Sequence, residues 1–235
     1  MRKIFFILLL LIIGPLGANE PGVVVSMVEG SADGMVSKMV VKRAYDQLGI
    51  SVEFRTYTAA AALAASSGGE VSAELARIDG IGLEFENLLQ VPIPINLIQG
   101  MAFSKKYLFP VTGWHSLRPY RIGIVKGIVF SEQPTAGMDR VVFDNYPDLV
   151  RAIDNGQVDV GVMPRVQGLQ TIVSLGIESI SEMEGILETL FLYHYVHVSR
   201  RDLVEQLQPV LKTMLLSGET RWIRDELLKT MLEKK

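Results

Sequence analysis

The chain has no cysteine. That absence excludes disulfides, thiol chemistry, zinc–thiolate sites and an acylated N-terminal cysteine anchor. Histidine is scarce, at three residues in 235, and 23 basic side chains face 26 acidic ones. With no basic run anywhere past residue 3, this balance argues against nucleic acid and anionic membrane surfaces as partners. Past residue 18 there is no apolar stretch long enough to cross a bilayer. No Ser lies in a G-x-S-x-G elbow, and Gly80-Ile81-Gly82 lacks the third glycine of a dinucleotide loop. His194 and His197 are three apart on a strand-like segment, which puts them on opposite faces and denies them a shared metal. No cofactor and no metal are expected.

Residues 1–18 read MRKIFFILLLLIIGPLGA: two basic residues, ten apolar ones, a Gly-Pro break and small residues. That is the layout of a cleaved secretory signal, and its apolar core is too short for a comfortable membrane span. Without Arg2 and Lys3, the remaining 217 residues carry 21 basic and 26 acidic side chains. An exported protein with no anchor diffuses freely and is retained only by an outer barrier, so a periplasm is the expected compartment. A monomer without stable membrane insertion is expected there.

One phrase is written twice. LAASSGGEVSAELARIDG at 63–80 and VRAIDNGQVDVGVMPRVQG at 150–168 each run helix, Gly, polar residue, Val, then an apolar strand. Gly69 matches Gly156, Val71 matches Val158, Ser72 matches Asp159, and Arg77 or Ile78 falls opposite Pro164 or Arg165. The glycine ends a helix in a left-handed conformation and the chain turns into a sheet. An αβ unit built twice predicts two similar lobes, and the cleft between two lobes is a natural place for a ligand.

Periodicity orders the rest. Strands are expected at 23–27, 50–57 and 71–78, with helices at 35–48, where Ser31 and Asp33 are candidate caps, and at 59–67, capped by Thr58. This alternation predicts a parallel sheet with right-handed crossovers. An extended stretch, 91–103, leads to a second series: strands 120–125, 141–143, 158–163 and 177–180, and helices 146–155 and 165–175. LFLYHYVHV at 190–198 returns as a strand, and two amphipathic helices, 200–216 and 219–233, close the chain. The two extended connectors predict a hinge.

GEVSAELARIDGI, SLRPYRIGIVKG, YPDLVRAIDNGQVDVGV and LYHYVHVSRRDLVEQLQPVLKTMLLSGE, in this order and spacing, resemble the bacterial extracellular solute-binding proteins of family 3. The resemblance covers nearly all of the chain after residue 18. It implies an α/β, two-lobed type II periplasmic-binding fold, each lobe a mostly parallel sheet flanked by helices, joined by a two-strand hinge. The expected segments are a leader at 1–18, a first lobe at 19–103 and 191–235, and a second lobe at 104–190. The implied function is capture of a small polar solute, with an inner-membrane permease of the ABC importer type as partner and no catalysis. The family's pocket is not carried over. Its carboxylate-binding Arg falls at Leu83–Glu84 and its ammonium-binding Asp at Pro164. Ile128 replaces its second-lobe Thr, Ser72 its first-lobe Asp, and Met27–Asp33 lacks its stacking aromatic.

The cleft lining is therefore expected from topology, at the carboxyl ends of the strands. The candidates are Glu29, Ser31, Tyr57, Arg77, Asp79, Gly127, Ile128, Val129, Asp144 and Arg165. Arg77 stands first: a guanidinium at a strand end clamps a carboxylate bidentately, which points to an anionic solute. An internal ion pair with Glu74 or Asp79 competes equally for it. Arg165 is a matching clamp or an exposed first-turn residue, backbone N–H groups at 127–129 suit an anion, and Glu29 and Asp33 suit a cationic group or simply cap. Two alternatives remain open at this level. One is an enzyme on the same fold, with Asp79, Glu74 or Glu29 as a general acid of raised pKa. The other is a degenerate receptor that binds a partner protein.

Overall fold

The computed structural model describes residues 22–233. The expected leader, 1–18, lies outside the described residues, as do Lys234 and Lys235. β1 (Val23–Val28) is a nearly continuous apolar run, buried on both faces as an inner parallel strand requires. Ser31 then caps α1 (Ala32–Gln47), its hydroxyl accepting from the Gly34 N–H at 2.9 Å. β2 (Val52–Tyr57) pairs parallel to β1 from Val23↔Val52 to Val28↔Tyr57. Thr58 caps α2 (Ala59–Ser67), and β3 (Ala73–Ile78) pairs with the other edge of β1.

A one-turn helix, α3 (Ile81–Glu84), leads into the 17-residue β4 (Leu88–Ser104). The second series follows: β5 (Ile122–Val125), the short α4 (Val129–Glu132), β6 (Arg140–Phe143), α5 (Tyr146–Asp154), β7 (Val160–Pro164) and α6 (Arg165–Ser174). β8 (Ser181–Glu182) and β9 (Glu188–His197) bring the chain back to α7 (Asp202–Leu216) and α8 (Glu219–Glu233).

The repeated phrase folds the same way twice. Gly69 and Gly156 have φ of 77° and 78°. After them, the N–H groups of Glu70 and Val71 bond Ala65 O, and those of Gln157 and Val158 bond Ala152 O. Val71 and Val158 are both buried. The strand expected at 177–180 is not formed. Ile177 and Ile180 are apolar because they pack into the second lobe's core, and pairing with the end of β4 begins only at Ser181. The single-turn helices α3 and α4 were not expected, being too short to show a period.

The strand order is β2-β1-β3-β9-β4-β7-β5-β6, with β8 on the end of β4. The two connectors do not interrupt the hydrogen bonding. β4 and β9 run antiparallel from Leu88↔His197 to Gly100↔Glu188, with irregularities between Gln90, Pro94 and Asn96. At its far end β4 pairs with β7, from Gly100↔Pro164 to Phe103↔Gly161. The apolar clusters nevertheless separate. One joins Val25, Tyr45, Leu75 and Ile95 to Leu203 and Leu211. The other two lie on the two faces of the β5–β7 sheet and draw only on residues between Met101 and Leu187. Two lobes thus share a two-strand hinge.

Candidate functional site

The parallel sheet of the first lobe buries a carboxylate near the start of β3. Glu74 is fully buried and accepts from Ser26 Oγ at 2.6 Å, Ser66 Oγ at 3.0 Å and Arg77 Nε at 2.8 Å. Arg77 also donates from Nη2 to Ala59 O at 2.8 Å. Of the two roles open to Arg77, the ion pair with Glu74 is the one present, and Asp79 takes no part in it. A guanidinium matched in this way offers little net charge to a solute anion.

Around this pair the ends of β1 and β3, the start of α1 and the hinge enclose a cleft of about 310 Å³, lined among others by Ser31, Asp33, Glu74, Arg77, Ile98 and Leu192. Asp33 is its least satisfied member. The residue is 6 % exposed, and its Oδ1 has no hydrogen-bond partner among the described residues. Burial pushes its pKa up to about 6, against a smaller opposing pull from the Arg224 guanidinium. Asn96, on β4, is equally buried. Its Nδ2 donates to Asp33 O at 3.0 Å and to Ser37 Oγ at 3.3 Å, and its Oδ1 is likewise unpartnered. Turning the amide over would set its oxygen against the Asp33 carbonyl, so the network fixes its orientation. Across from lobe two, burial and the Asp33 charge push the Tyr146 hydroxyl to a higher pKa.

The remaining candidates are dispersed. Ser31 lines the cleft while capping α1. Glu29, Asp79 and Asp144 are exposed, and with Tyr57 they stand outside this cleft. The Gly127 N–H, offered as an anion donor, is taken by Glu132 Oε1 at 2.8 Å, and the Ile128 N–H by Val125 O. Val129 opens α4. Arg165 is held bidentately by Glu182 at 2.8 and 2.9 Å, the geometry of a satisfied ion pair rather than of a free clamp. It lines a different cavity of about 640 Å³, with Leu97, Gln99, Phe191 and Arg224. Asn96 also borders this second cavity, whereas Ile98 lines the cleft.

His194 is a core residue. It is fully buried, and its Nδ1 lies 3.1 Å from Leu75 O and its Nε2 3.0 Å from Tyr45 Oη. A carbonyl only accepts, so the proton sits on Nδ1 and the Tyr45 hydroxyl donates to Nε2. Among the described residues, no group of three or more acidic or histidine side chains is placed to hold a metal ion. No described helix is long and apolar enough to cross a membrane.

No family model and no curated protein matches the chain. Solved structures do. The ligand-binding core of GluR0 in complex with L-glutamate aligns over 90 % of this chain and 100 % of its own, with a TM-score of 0.73 at 10 % identity. A histidine kinase sensor domain similar to periplasmic binding proteins aligns over 88 % and 95 %, with a TM-score of 0.65 at 17 % identity. An amino acid ABC transporter substrate-binding protein of Streptococcus pneumoniae, bound to L-arginine, aligns over 90 % and 96 %, with a TM-score of 0.63 at 15 % identity.

The chain has the type II periplasmic-binding-protein fold. Asp33, which the sequence offers as a partner for a cationic group or as a cap, lines the cleft, and the capping role is filled by Ser31. Its buried neighbour Asn96 was not among the sequence candidates. Asn96 did leave a trace: it is a lone amide inside the apolar run PIPINLI.

Proposed function

We propose that the protein is a solute-binding protein that closes its two lobes on a small polar molecule. The observation that carries this is the cleft itself. Strand ends, a helix N-terminus and both hinge strands contribute to one cavity, with a polar floor and the apolar walls Ile98 and Leu192. Solved proteins of the same fold support it, since the one bound to L-glutamate is a ligand-binding core and the one bound to L-arginine is a substrate-binding protein of an amino acid ABC transporter. The lobes of this proposal are 19–103 with 191–235, and 104–190. The compartment is a periplasm, the leader is cleaved, the protein is a monomer, and an inner-membrane permease of an ABC importer receives the solute. An anionic solute was expected from Arg77. With that charge matched by Glu74, polarity is retained as the criterion and the sign of the charge is left to the cleft's remaining groups.

One observation favours a second reading, an enzyme on the same fold. Asp33 is a buried carboxyl whose pKa of about 6 suits proton transfer. Glu74 is already engaged by three donors, and Asp79 and Glu29 are exposed. A lone acid without a partner base in the cleft suits binding better than turnover.

The test is native mass spectrometry of protein purified without denaturation, followed by a thermal-shift screen of polar solutes. A retained or stabilising solute, recovered chemically unchanged and lost when Ile98→Trp fills the cleft, is the expected result. A solute converted to product would favour the enzyme, and a screen in which nothing stabilises the protein would remove the solute-binding reading.

A further inference from the structure

The cleft carries a buried carboxylate oxygen with no donor to match it among the described residues, and a second unpartnered acceptor lies beside it at the neighbouring cavity. Asp33 Oδ1 and Asn96 Oδ1 are both unpartnered among the described residues, and both residues are 6 % exposed. They belong to one network, since Asn96 Nδ2 bonds the Asp33 carbonyl and Ser37 Oγ, and Ser37 Oγ itself donates to Asp33 O at 3.0 Å. Buried acceptors left without donors are unfavourable, so this arrangement favours whatever brings N–H groups to it.

Charge points the same way. Three ionisable side chains line the cleft, Asp33, Glu74 and Arg77, and the last two neutralise each other at 2.8 Å. One carboxyl is left over. Where related receptors clamp a carboxylate, Leu83 stands 90 % exposed, and the N–H groups of Gly127 and Ile128 are taken by Glu132 and Val125. Among the described residues, the cleft therefore keeps an acceptor for a cation and no unengaged clamp for an anion. Among the described residues, Arg224 on α8 is the cation whose field reaches Asp33. It bonds Gln99 Oε1 at 3.3 Å in the neighbouring cavity, and no ion pair joins it to Asp33 among the described residues. Tyr146, from α5 of lobe two, is the titratable group of that lobe that feels the Asp33 charge.

Resting on the solute-binding reading above, we propose that Asp33 forms an ammonium subsite, and that the solute is an organic cation recognised through its N–H donors without a carboxylate clamp. Opening of the lobes exposes the Asp33 carboxyl to the solute, and closure places the ammonium against Asp33, whose backbone Asn96 Nδ2 holds in place. Because Asp33 takes up a proton near pH 6, proton and ammonium compete for the same carboxylate.

Calorimetry of the mature protein with n-butylammonium, n-butanol and butyrate tests this at constant ionic strength. Butylammonium should bind at least tenfold more tightly than either isostere at pH 7.5. Its affinity should fall about tenfold at pH 5.0, as the proton displaces it from a group titrating near pH 6. The isosteric Asp33→Asn should abolish the preference and the pH dependence together. If Asp33→Asn fails to fold, the preference and the pH profile of the unaltered protein still decide. Butylammonium binding that is absent, indifferent to pH or unchanged in Asp33→Asn overturns the subsite. Butyrate binding that Ile98→Trp removes would overturn it too, yet leave the solute-binding reading standing.

Discussion

The two copies of the αβ unit agree wherever the chain folds and part where chemistry is possible. Ser72 Oγ accepts from the Val24 N–H in lobe one, and Asp159 Oδ2 accepts from the Arg121 N–H in lobe two. The backbone N–H groups of the same two residues donate to Val24 O and Arg121 O. Residue types differ while the bond they make does not. Two positions further along, lobe one carries the buried Glu74 and lobe two carries Gly161, and three positions beyond those lobe one carries Arg77 and lobe two Pro164. A position that must close a turn is therefore constrained twice over. A position at a strand end is free to acquire an ion pair, or to lose one.

Removing Glu74 should break the comparison most severely. Glu74→Ala leaves the largely covered Arg77 without its counter-charge and strands two serine hydroxyls, at a cost of about 3–5 kcal/mol in denaturant unfolding. Lobe two carries no corresponding group, so a loss below about 1 kcal/mol would mean that the buried pair is dispensable in lobe one as well.

The next effect separates two buried titratable groups of lobe one. Burial holds His194 neutral, with a pKa lowered to about 4 against weaker help from backbone hydrogen bonds. Its contribution is complete above the unfolded value of 6.5 and is lost as pH falls toward 4. Asp33, raised to about 6, behaves oppositely: its contribution is complete below 3.8 and is lost as pH rises through 6. Each spans about 3 kcal/mol, so between pH 4 and 6 they nearly cancel. Asp33→Asn should uncover the His194 slope, with stability falling by about 3 kcal/mol from pH 6.5 to 4 in urea titrations beyond the loss in the unaltered protein. Identical pH profiles for the two would show that Asp33 does not titrate in this range.

The smallest effect sharpens the equivalence of the repeats. Ser72→Ala should cost about 1 kcal/mol and Asp159→Ala about 1.5 kcal/mol, each by freeing one N–H of a neighbouring chain segment. If only one of the two destabilises, the shared bond is not what the repeat preserves.

Much of the fold was legible because it rests on local signals. Ser31 and Thr58 cap where their spacing predicts, and the glycines at 69 and 156 turn the chain as the repeat requires. Ile177–Ile180 misled because apolar character reports burial and says nothing of which backbone a segment meets. The site was less legible for the same reason. Arg77 advertises a charge, but its partner sits three residues away on the same strand and is recognisable only once Ser26 and Ser66 are seen to converge on it. Asp33 and Asn96 lie 63 positions apart, and nothing local to either says that α1 begins against the hinge.

That hinge is a ribbon with a soft spot. β4 and β9 are bonded rung by rung from Asn96 to Gly100, but their register slips between Gln90, Pro94 and Asn96, and Pro94 has no N–H to give. A ladder flexes where rungs are missing, so the ribbon bends most easily near Pro94 rather than in the middle of the crossing. Two residues further on, Asn96 is bonded to Asp33 O and Ser37 Oγ, so α1 is moored to the ribbon right beside its weakest rung.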